Sequence, residues 1–371
     1  SNPEKPRKNT TGNGMDNQTS SIYYHGNRSL PGLPNMAKPF LDCTAEVTSV
    51  RAVPKNRWAW LAADILEEHW RLELDDDVLD EMHGLAAFIL MNPHQDHQRR
   101  AGEFRLTKCR RLILKMKNIL DDGAGFAVLN RLPMDDYPLD AMVEVYWLLG
   151  QLVGRPVAQN WIGQVIYDVH DSGATYQYGV RGSHTTVELT FHTDNAFARM
   201  VPDYVGLLCR NTAKCGGASR ICNLYTVHDR MQHRYPKQLA RLYQPMYFDR
   251  QKEHYEDDAK VSLAPYFSWN GERLNARANT TLVRQGYEVA GEELDSDLVD
   301  ALDAIDEVAS SPEIWYEVPM ARGDIQYLNN HEVGHYRSEF EDHEDADKKR
   351  HLFRLWHRER GSSSYDGGFP D

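Results

Sequence analysis

The stretch VELTFHTDNAF (187–197) decides the reading of this chain. Its first half has the alternation of a half-buried strand. His192 and Asp194 then stand two residues apart. On an extended chain residues i and i+2 face the same side. His192 and Asp194 therefore point together into a cavity, while Thr193 points away. A neutral imidazole and a carboxylate are two thirds of the 2-His-1-carboxylate facial triad, which leaves three adjacent octahedral positions open. Iron(II) chemistry uses them: a chelating co-substrate takes two and O2 the third. Alone, such a triplet is weak evidence, because a His near an Asp is more often a surface pair.

A second stretch near the C-terminus strengthens it. GDIQYLNNHEVGHYRSEFED (323–342) is followed by KKRHLFRLWHRER (348–360). His331 and His335 both follow a strand pattern and compete for the third ligand position. Arg350 and Arg354 share one face of a strand. A guanidinium there meets a carboxylate with two parallel hydrogen bonds. A dicarboxylate co-substrate with one end on iron needs such a partner for its far end. Taken without the histidines and Asp194, the two arginines would read as structural ion pairs. His351 and His357 fall on the opposite face from them, and His170 and His184 read as loop or surface histidines.

Around these motifs the texture changes along the chain. Residues 1–40 are polar and rich in Asn, Ser, Gly and Pro, which reads as a tail. Residues 57–121 read as helical: Trp58, Leu61, Ile65 and Trp70 recur near helical spacing, and runs over 76–91 and 105–120 follow, the last stopping at Gly123. The tryptophans and tyrosines at 58, 60, 70, 146 and 147 read as helix packing. GFAVLNRLP (125–133) is a short strand and 139–153 an apolar helix. From about residue 160 short strand patterns dominate: 163–169, 187–192, 204–211, 218–224, 313–319, 324–330 and 351–357. Helical stretches at 225–242 and 294–309 interrupt them. Helices followed by many short strands predict an α+β fold. The expected division is a tail over 1–40, an N-terminal helical region over 41–124, a core over 125–360 with an insert or lid at about 245–295, and a tail over 361–371.

Composition excludes several classes. Of 371 residues, 41% are apolar and 26% charged, ordinary values for a globular protein. Lys and Arg number 42 against 55 Asp and Glu, a net charge of −13. That disfavours nucleic acid or anionic lipid as the main partner. Five cysteines without a CxxC fit neither a disulfide framework nor a zinc ribbon, and predict reduced thiols in the cytoplasm. No apolar run approaches the roughly 18 residues a membrane span needs, and the N-terminal stretch lacks the apolar segment of a secretory signal.

ELTFHTDNAF (188–197), LLCRNTAKCGGASRICN (207–223), GDIQYLNNHEVGHYRSEFED and RHLFRLWHR together resemble the TauD/TfdA-type 2-oxoglutarate dioxygenases, including the clavaminate-synthase-like and γ-butyrobetaine-hydroxylase-like members, over about residues 125–360. The resemblance implies a double-stranded β-helix (jelly-roll) core with flanking helices. It implies iron(II) held by His192, Asp194 and His335, with 2-oxoglutarate and O2 as co-substrates. The family's pattern N-x-x-x-x-H-x-R, starting at Asn330, selects His335 over His331. Arg350 matches the partner of the 2-oxoglutarate distal carboxylate. Ser219, in Gly216-Gly217-Ala218-Ser219, matches the family's Thr or Ser beside that carboxylate. Arg354 matches a second arginine near the iron-bound end or the substrate. Related halogenases carry Gly or Ala at the carboxylate position. Asp194 therefore implies oxygen chemistry, with hydroxylation as the default.

The substrate expected is a small, carboxylate-bearing or amino-acid-like molecule, with Asn195, Arg277 or Arg354 in contact with it. Thr193 and Asn195 are expected to orient the ligands. The insert, with Tyr266, Phe267, Trp269, Arg273, Asn275 and Arg277, is expected to wall the pocket. The apolar N-terminal helices could serve a homo-oligomer. The competing readings are a cupin-like isomerase or hydrolase that binds metal without redox turnover, and a degenerate binding scaffold.

Overall fold

The computed structural model describes residues 39–44, 59–93, 97–175, 177 and 179–368. Two sheets face each other. The larger has seven strands, in the order Arg71–Glu73, Phe126–Asn130, Ile325–Asn329, Tyr204–Asn211, His351–His357, with Pro156–Val157 and Tyr167–His170 both paired to His351–His357. The smaller has four: Trp315–Val318, Ser219–Asn223, Val333–Arg337 and Leu189–His192. From Leu189 to Ser219 the chain passes from small sheet to large and back to small. From Trp315 to His357 it again crosses from one sheet to the other at each step. That alternation is the double-stranded β-helix expected from the sequence.

Side-chain alternation builds the layers. In Phe126–Asn130, Ala127 and Leu129 enter the core under the helices, whereas Phe126 and Val128 enter the core between the sheets. Tyr204 and Leu208 divide from Val205 in the same way, and Phe353 and Leu355 from Trp356. A strand buried on both faces reads as a continuous apolar run, which is why 126–129 shows no polar alternation.

Three helices, Asp76–Met91, Thr107–Asp122 and Leu139–Val153, cover the outer face of the large sheet. The first starts where the Asp75 carboxylate accepts from the Val78 N–H, an N-cap. Residues 59–73 depart from the helical expectation. They form two 3-10 turns and the strand Arg71–Glu73. Trp60 and Trp70 are buried not between helices but beside Phe126, with ring centroids 6.0 and 5.9 Å away, closing one end of the space between the sheets. Burial of two large rings there outweighs the helical spacing. Trp58 and residues 1–38 lie outside the described residues.

A second core lies against the small sheet. It holds helices Leu224–Arg234, Pro236–Leu242, Thr280–Ala290 and Ser296–Ser310, and the three-stranded sheet of Leu41–Asp42, Val261–Pro265 and Pro245–Asp249. The stretch 225–242 is two helices because Pro236 cannot continue the first. No helix of the described residues is long and apolar enough to cross a membrane.

Candidate active site

His192 and His335 are cross-strand neighbours in the small sheet, paired in register on antiparallel strands. Their rings lie 4.2 Å apart, centroid to centroid. Asp194 joins them, but not by strand alternation. The strand ends at His192, and Asp194 sits in the turn beyond it. The Asn330 side chain places it: Oδ1 accepts from the Asp194 N–H at 2.8 Å, and Nδ2 donates to the Asp194 carbonyl at 2.9 Å and the Pro202 carbonyl at 3.0 Å. Thr193 faces away, as expected. Its N–H donates to the Ala278 carbonyl, and its hydroxyl accepts from the Ala278 N–H at 3.0 Å.

The three side chains form a group that could hold a metal ion. Their donor atoms all lie within 4.8 Å of one another. Asp194 Oδ1 is 3.6 Å from His192 Nε2 and 3.4 Å from His335 Nε2. Metal bonds of about 2.1 Å set at right angles place neighbouring donors roughly 3 Å apart, so a first-row divalent ion fits with little adjustment. His192 Nδ1 faces the Thr190 carbonyl at 2.8 Å, which assigns the N–H to that nitrogen and leaves Nε2 as the donor pair. Burial and the neighbouring His192 lower the His335 pKa, favouring the neutral ring that ligates metal.

The other carboxylate oxygen is already engaged. Trp356 Nε1 donates to Asp194 Oδ2 at 2.8 Å, and Arg354 Nη1 lies 3.0 Å from it. Burial alone would raise the Asp194 carboxyl. Arg354 and the two imidazoles outweigh it and hold the group well below its ordinary range. Arg354 is itself fixed by its Nε bond to Gln159 Oε1 at 2.8 Å, and lies over the rings of Tyr167 and Trp356. Replacing Trp356 by Phe keeps the ring and deletes that one donor. We expect metal affinity to fall about 10–100-fold, as for other outer partners of metal ligands. A metal-competition titration checks it, and an unchanged affinity would show that the bond does not tune the site.

Arg350 and Ser219 line the same cavity as the three ligands. Ser219 donates to Gln326 Oε1 at 3.2 Å, leaving Gln326 Nε2 buried without a partner. Arg350 is buried and its Nη1 has no partner. Burial pushes its pKa down to about 10. Gly216 and Gly217 hold φ of +76° and +70°, backbone that favours glycine. A Cβ on Gly217 would stand 3.1 Å from Arg350 Nε, so the pair of glycines also makes room for the guanidinium.

The remaining candidates divide. Asn195 lines the cavity in a left-handed turn (φ +56°), with Nδ2 donating to the Tyr365 carbonyl at 2.7 Å. Arg277 does not line it. Its guanidinium holds the carbonyls of Ala196, Ala198 and Arg199 at 2.5–3.2 Å. His331 is 2.8 Å from Asp203 Oδ1, outside the ligand group. Tyr266 and Phe267 belong to the second core, and Arg273 pairs with Glu332. From this part of the chain the cavity is lined instead by Gln251, Asn279, Thr281 and Leu282. From the sequence, Asn330, and with it Arg337, entered only as the ends of the family pattern, with no role for either, and Trp356 and Gln159 were passed over. Arg337 carried a signal: it lies two residues beyond His335 and shares its strand face.

Comparison with known proteins follows the same lines. The family model described as "Taurine catabolism dioxygenase TauD, TfdA family" matches residues 99–356. FR-33289 synthase of Streptomyces rubellomurinus (strain ATCC 31215) is 27% identical over 262 residues, covering 68% of this chain and 74% of that protein. Asparagine oxygenase, solved with Fe(II), 2S,3S-3-hydroxyasparagine and succinate, superposes with a TM-score of 0.64 at 17% identity, covering 81% of this chain and all of that one. The non-heme iron oxygenase OrfP, solved with Fe and alpha-ketoglutaric acid, gives 0.56 at 18% identity, over 77% of this chain and 93% of that one. At these identities the structures share the fold.

Proposed function

Because this chain belongs to the taurine catabolism dioxygenase TauD, TfdA family, we propose that it is a non-haem iron(II)- and 2-oxoglutarate-dependent oxygenase that hydroxylates a small carboxylate- or amino-acid-like substrate. The observation that carries this reading is the convergence, in one cavity, of a two-histidine, one-carboxylate donor set with a buried arginine that has an unpartnered N–H. Iron(II) with 2-oxoglutarate and O2 supplies oxidative decarboxylation to succinate and CO2, coupled to oxidation of a C–H bond.

The chain's own share is binding, orientation and the shaping of a dry site. His192, Asp194 and His335 would hold the metal, a donor set that suits non-haem iron(II). Arg350, in the cavity that Ser219 also lines, would take the far carboxylate of 2-oxoglutarate. Arg354 stays on Asp194 and keeps that carboxylate charged and aimed. For the substrate, Arg181 Nε and Ser183 Oγ are buried without partners and line the cavity. Arg181 also pairs with Glu253 at 2.7 Å through Nη2, so it is the free Nε, with the Ser183 hydroxyl, that faces a substrate carboxylate; unlike them, Arg277 does not line the cavity. The products in the asparagine oxygenase and OrfP complexes, hydroxyasparagine and hydroxyarginine, support the amino-acid class. All five cysteines are free, which supports a reducing, cytoplasmic setting.

The test is turnover. Protein supplied with iron(II), 2-oxoglutarate and O2 should form succinate faster when the right amino acid or small carboxylic acid is added, and convert that acid to a product one oxygen heavier. Metal binding with no consumption of 2-oxoglutarate across the panel would favour the non-redox alternative. Turnover confined to neutral or cationic compounds would sink the carboxylate assignment.

A further inference from the structure

Arg350 is not the only arginine at its end of the cavity. Arg337 stands two residues beyond His335 on one strand, so both side chains leave the same face, with about 6.6–6.8 Å of rise between their positions. In register Arg337 pairs with Ser219, the residue assigned to the far carboxylate. Its side chain lines the cavity and is 6% exposed. Arg337 and Arg350 lie over the same ring, Phe340, at 5.0 and 5.2 Å. Among the described residues neither forms an ion pair with a carboxylate. Asp171 and Asp342 act on them only at longer range. Burial, with Arg350 adding to it, pushes the Arg337 guanidinium down to about 9.

Arg337 has one partnered arm. Nη2 donates to the Thr185 carbonyl at 2.8 Å and to the Val187 carbonyl, with the Gly182 carbonyl at 3.4 Å. Nε and Nη1 have no partner. A strut for residues 182–187 would need only the first set. Buried N–H groups without acceptors are uncommon, and two adjacent buried cations are unfavourable until an anion sits between them.

We propose that Arg337 is a second binding residue for the distal carboxylate of the keto-acid co-substrate, gripping it together with Arg350 while its Nη2 ties that carboxylate to the cavity wall at Gly182–Val187. This rests on the reading of the site as a 2-oxoglutarate site. It adds a selectivity element, because two guanidiniums favour a dicarboxylate over a keto acid with an apolar end. It also links the co-substrate to the wall that carries Arg181 and Ser183, so that binding of 2-oxoglutarate sets the substrate side of the pocket.

The experiment is an anaerobic titration of the iron(II)-loaded protein with 2-oxoglutarate and with 2-oxovalerate, which has the same five-carbon chain without the distal carboxylate. The visible charge-transfer band of the chelated keto acid reads both affinities without turnover. Wild type should prefer 2-oxoglutarate strongly. Arg337→Met should reduce that preference roughly tenfold or more, with 2-oxovalerate affinity within about twofold of wild type. Equal weakening of both acids would mark a structural strut, and an unchanged preference an idle residue. Either result overturns the inference and leaves the oxygenase reading standing. A wild type that binds neither acid, or both alike, overturns the two together. If Arg337→Met does not fold, Arg337→Lys carries the test: a lowered preference supports the assignment and an unchanged one overturns it.

Discussion

Asp194→Ala should abolish the iron(II)–2-oxoglutarate charge-transfer band and lower succinate formation by on the order of 10³-fold or more, and should also make the protein easier to melt. The first effect follows from the lost ligand, since a bound metal contributes several kcal/mol to such chemistry and each 1.36 kcal/mol is a factor of ten. The second separates Asp194 from its neighbours. Its Oδ2 accepts from Trp356 and faces Arg354, which is itself buried. Removing the carboxylate leaves a buried guanidinium without its counter-charge, a change that typically costs about 3–5 kcal/mol. His192→Ala should lose the band equally but melt closer to wild type, because Arg354, the buried counter-charge of Asp194, keeps its partner in that variant. Iron content, the band and the melting midpoint of both variants check this. An Asp194→Ala protein that retains iron and band would refute the ligand assignment.

Arg350→Met should raise the 2-oxoglutarate dissociation constant by about 10²-fold or more. Deleting one partner of a buried, hydrogen-bonded charge pair costs about 2–5 kcal/mol, and 1.4 kcal/mol is tenfold. Its stability signature is the reverse of that of Asp194→Ala. Without co-substrate Arg350 is a buried cation without an ion-pair partner, so an apolar chain of similar length should leave the unliganded protein as stable or more stable. The wild type should gain about 2.7 kcal/mol from ligand at a hundred times its dissociation constant. The variant should gain almost none at that concentration. Melting curves with and without 2-oxoglutarate measure both. A variant that is destabilised when empty yet stabilised normally by ligand would assign Arg350 to structure.

The strands were the most legible part of the sequence. Tyr204–Asn211 and His351–His357 have the expected bounds, because strong turn signals flank both. The His192, Asp194 and His335 grouping was also visible, although its cause differs at Asp194, where a side-chain clamp by Asn330 does the work expected of pleat geometry. Long-range packing was less legible. Nothing local marks residues 59–73 as a cover for the gap between sheets, since the apolar spacing of Trp60, Ile65 and Trp70 serves a helix or an irregular wrap alike. The 245–295 stretch offered aromatic and cationic residues as a pocket wall. Its aromatics instead fill the second core, and polar residues of low individual signal, Gln251 and Asn279, reach the cavity. Arg277 shows the general difficulty: an arginine beside a site is equally suited to a ligand anion or to three backbone carbonyls, and composition does not distinguish them.

The crossing of the chain between sheets has a consequence for how the molecule assembles. The small sheet interleaves Leu189–His192 and Ser219–Asn223 with Trp315–Val318 and Val333–Arg337, so it cannot be completed until the chain has run from Leu189 to Arg337. On a ribosome the first histidine strand emerges long before its partner and waits while the second core is synthesised. Contacts this distant in sequence slow folding and leave strand edges open in the interval. Compaction of the second core would shorten that separation, because its helices lie between Cys222 and Trp315, which are strand partners. The group of His192, Asp194 and His335 is therefore expected to be among the last features to form, since its two histidines lie on the first and last strands of this sheet to be made.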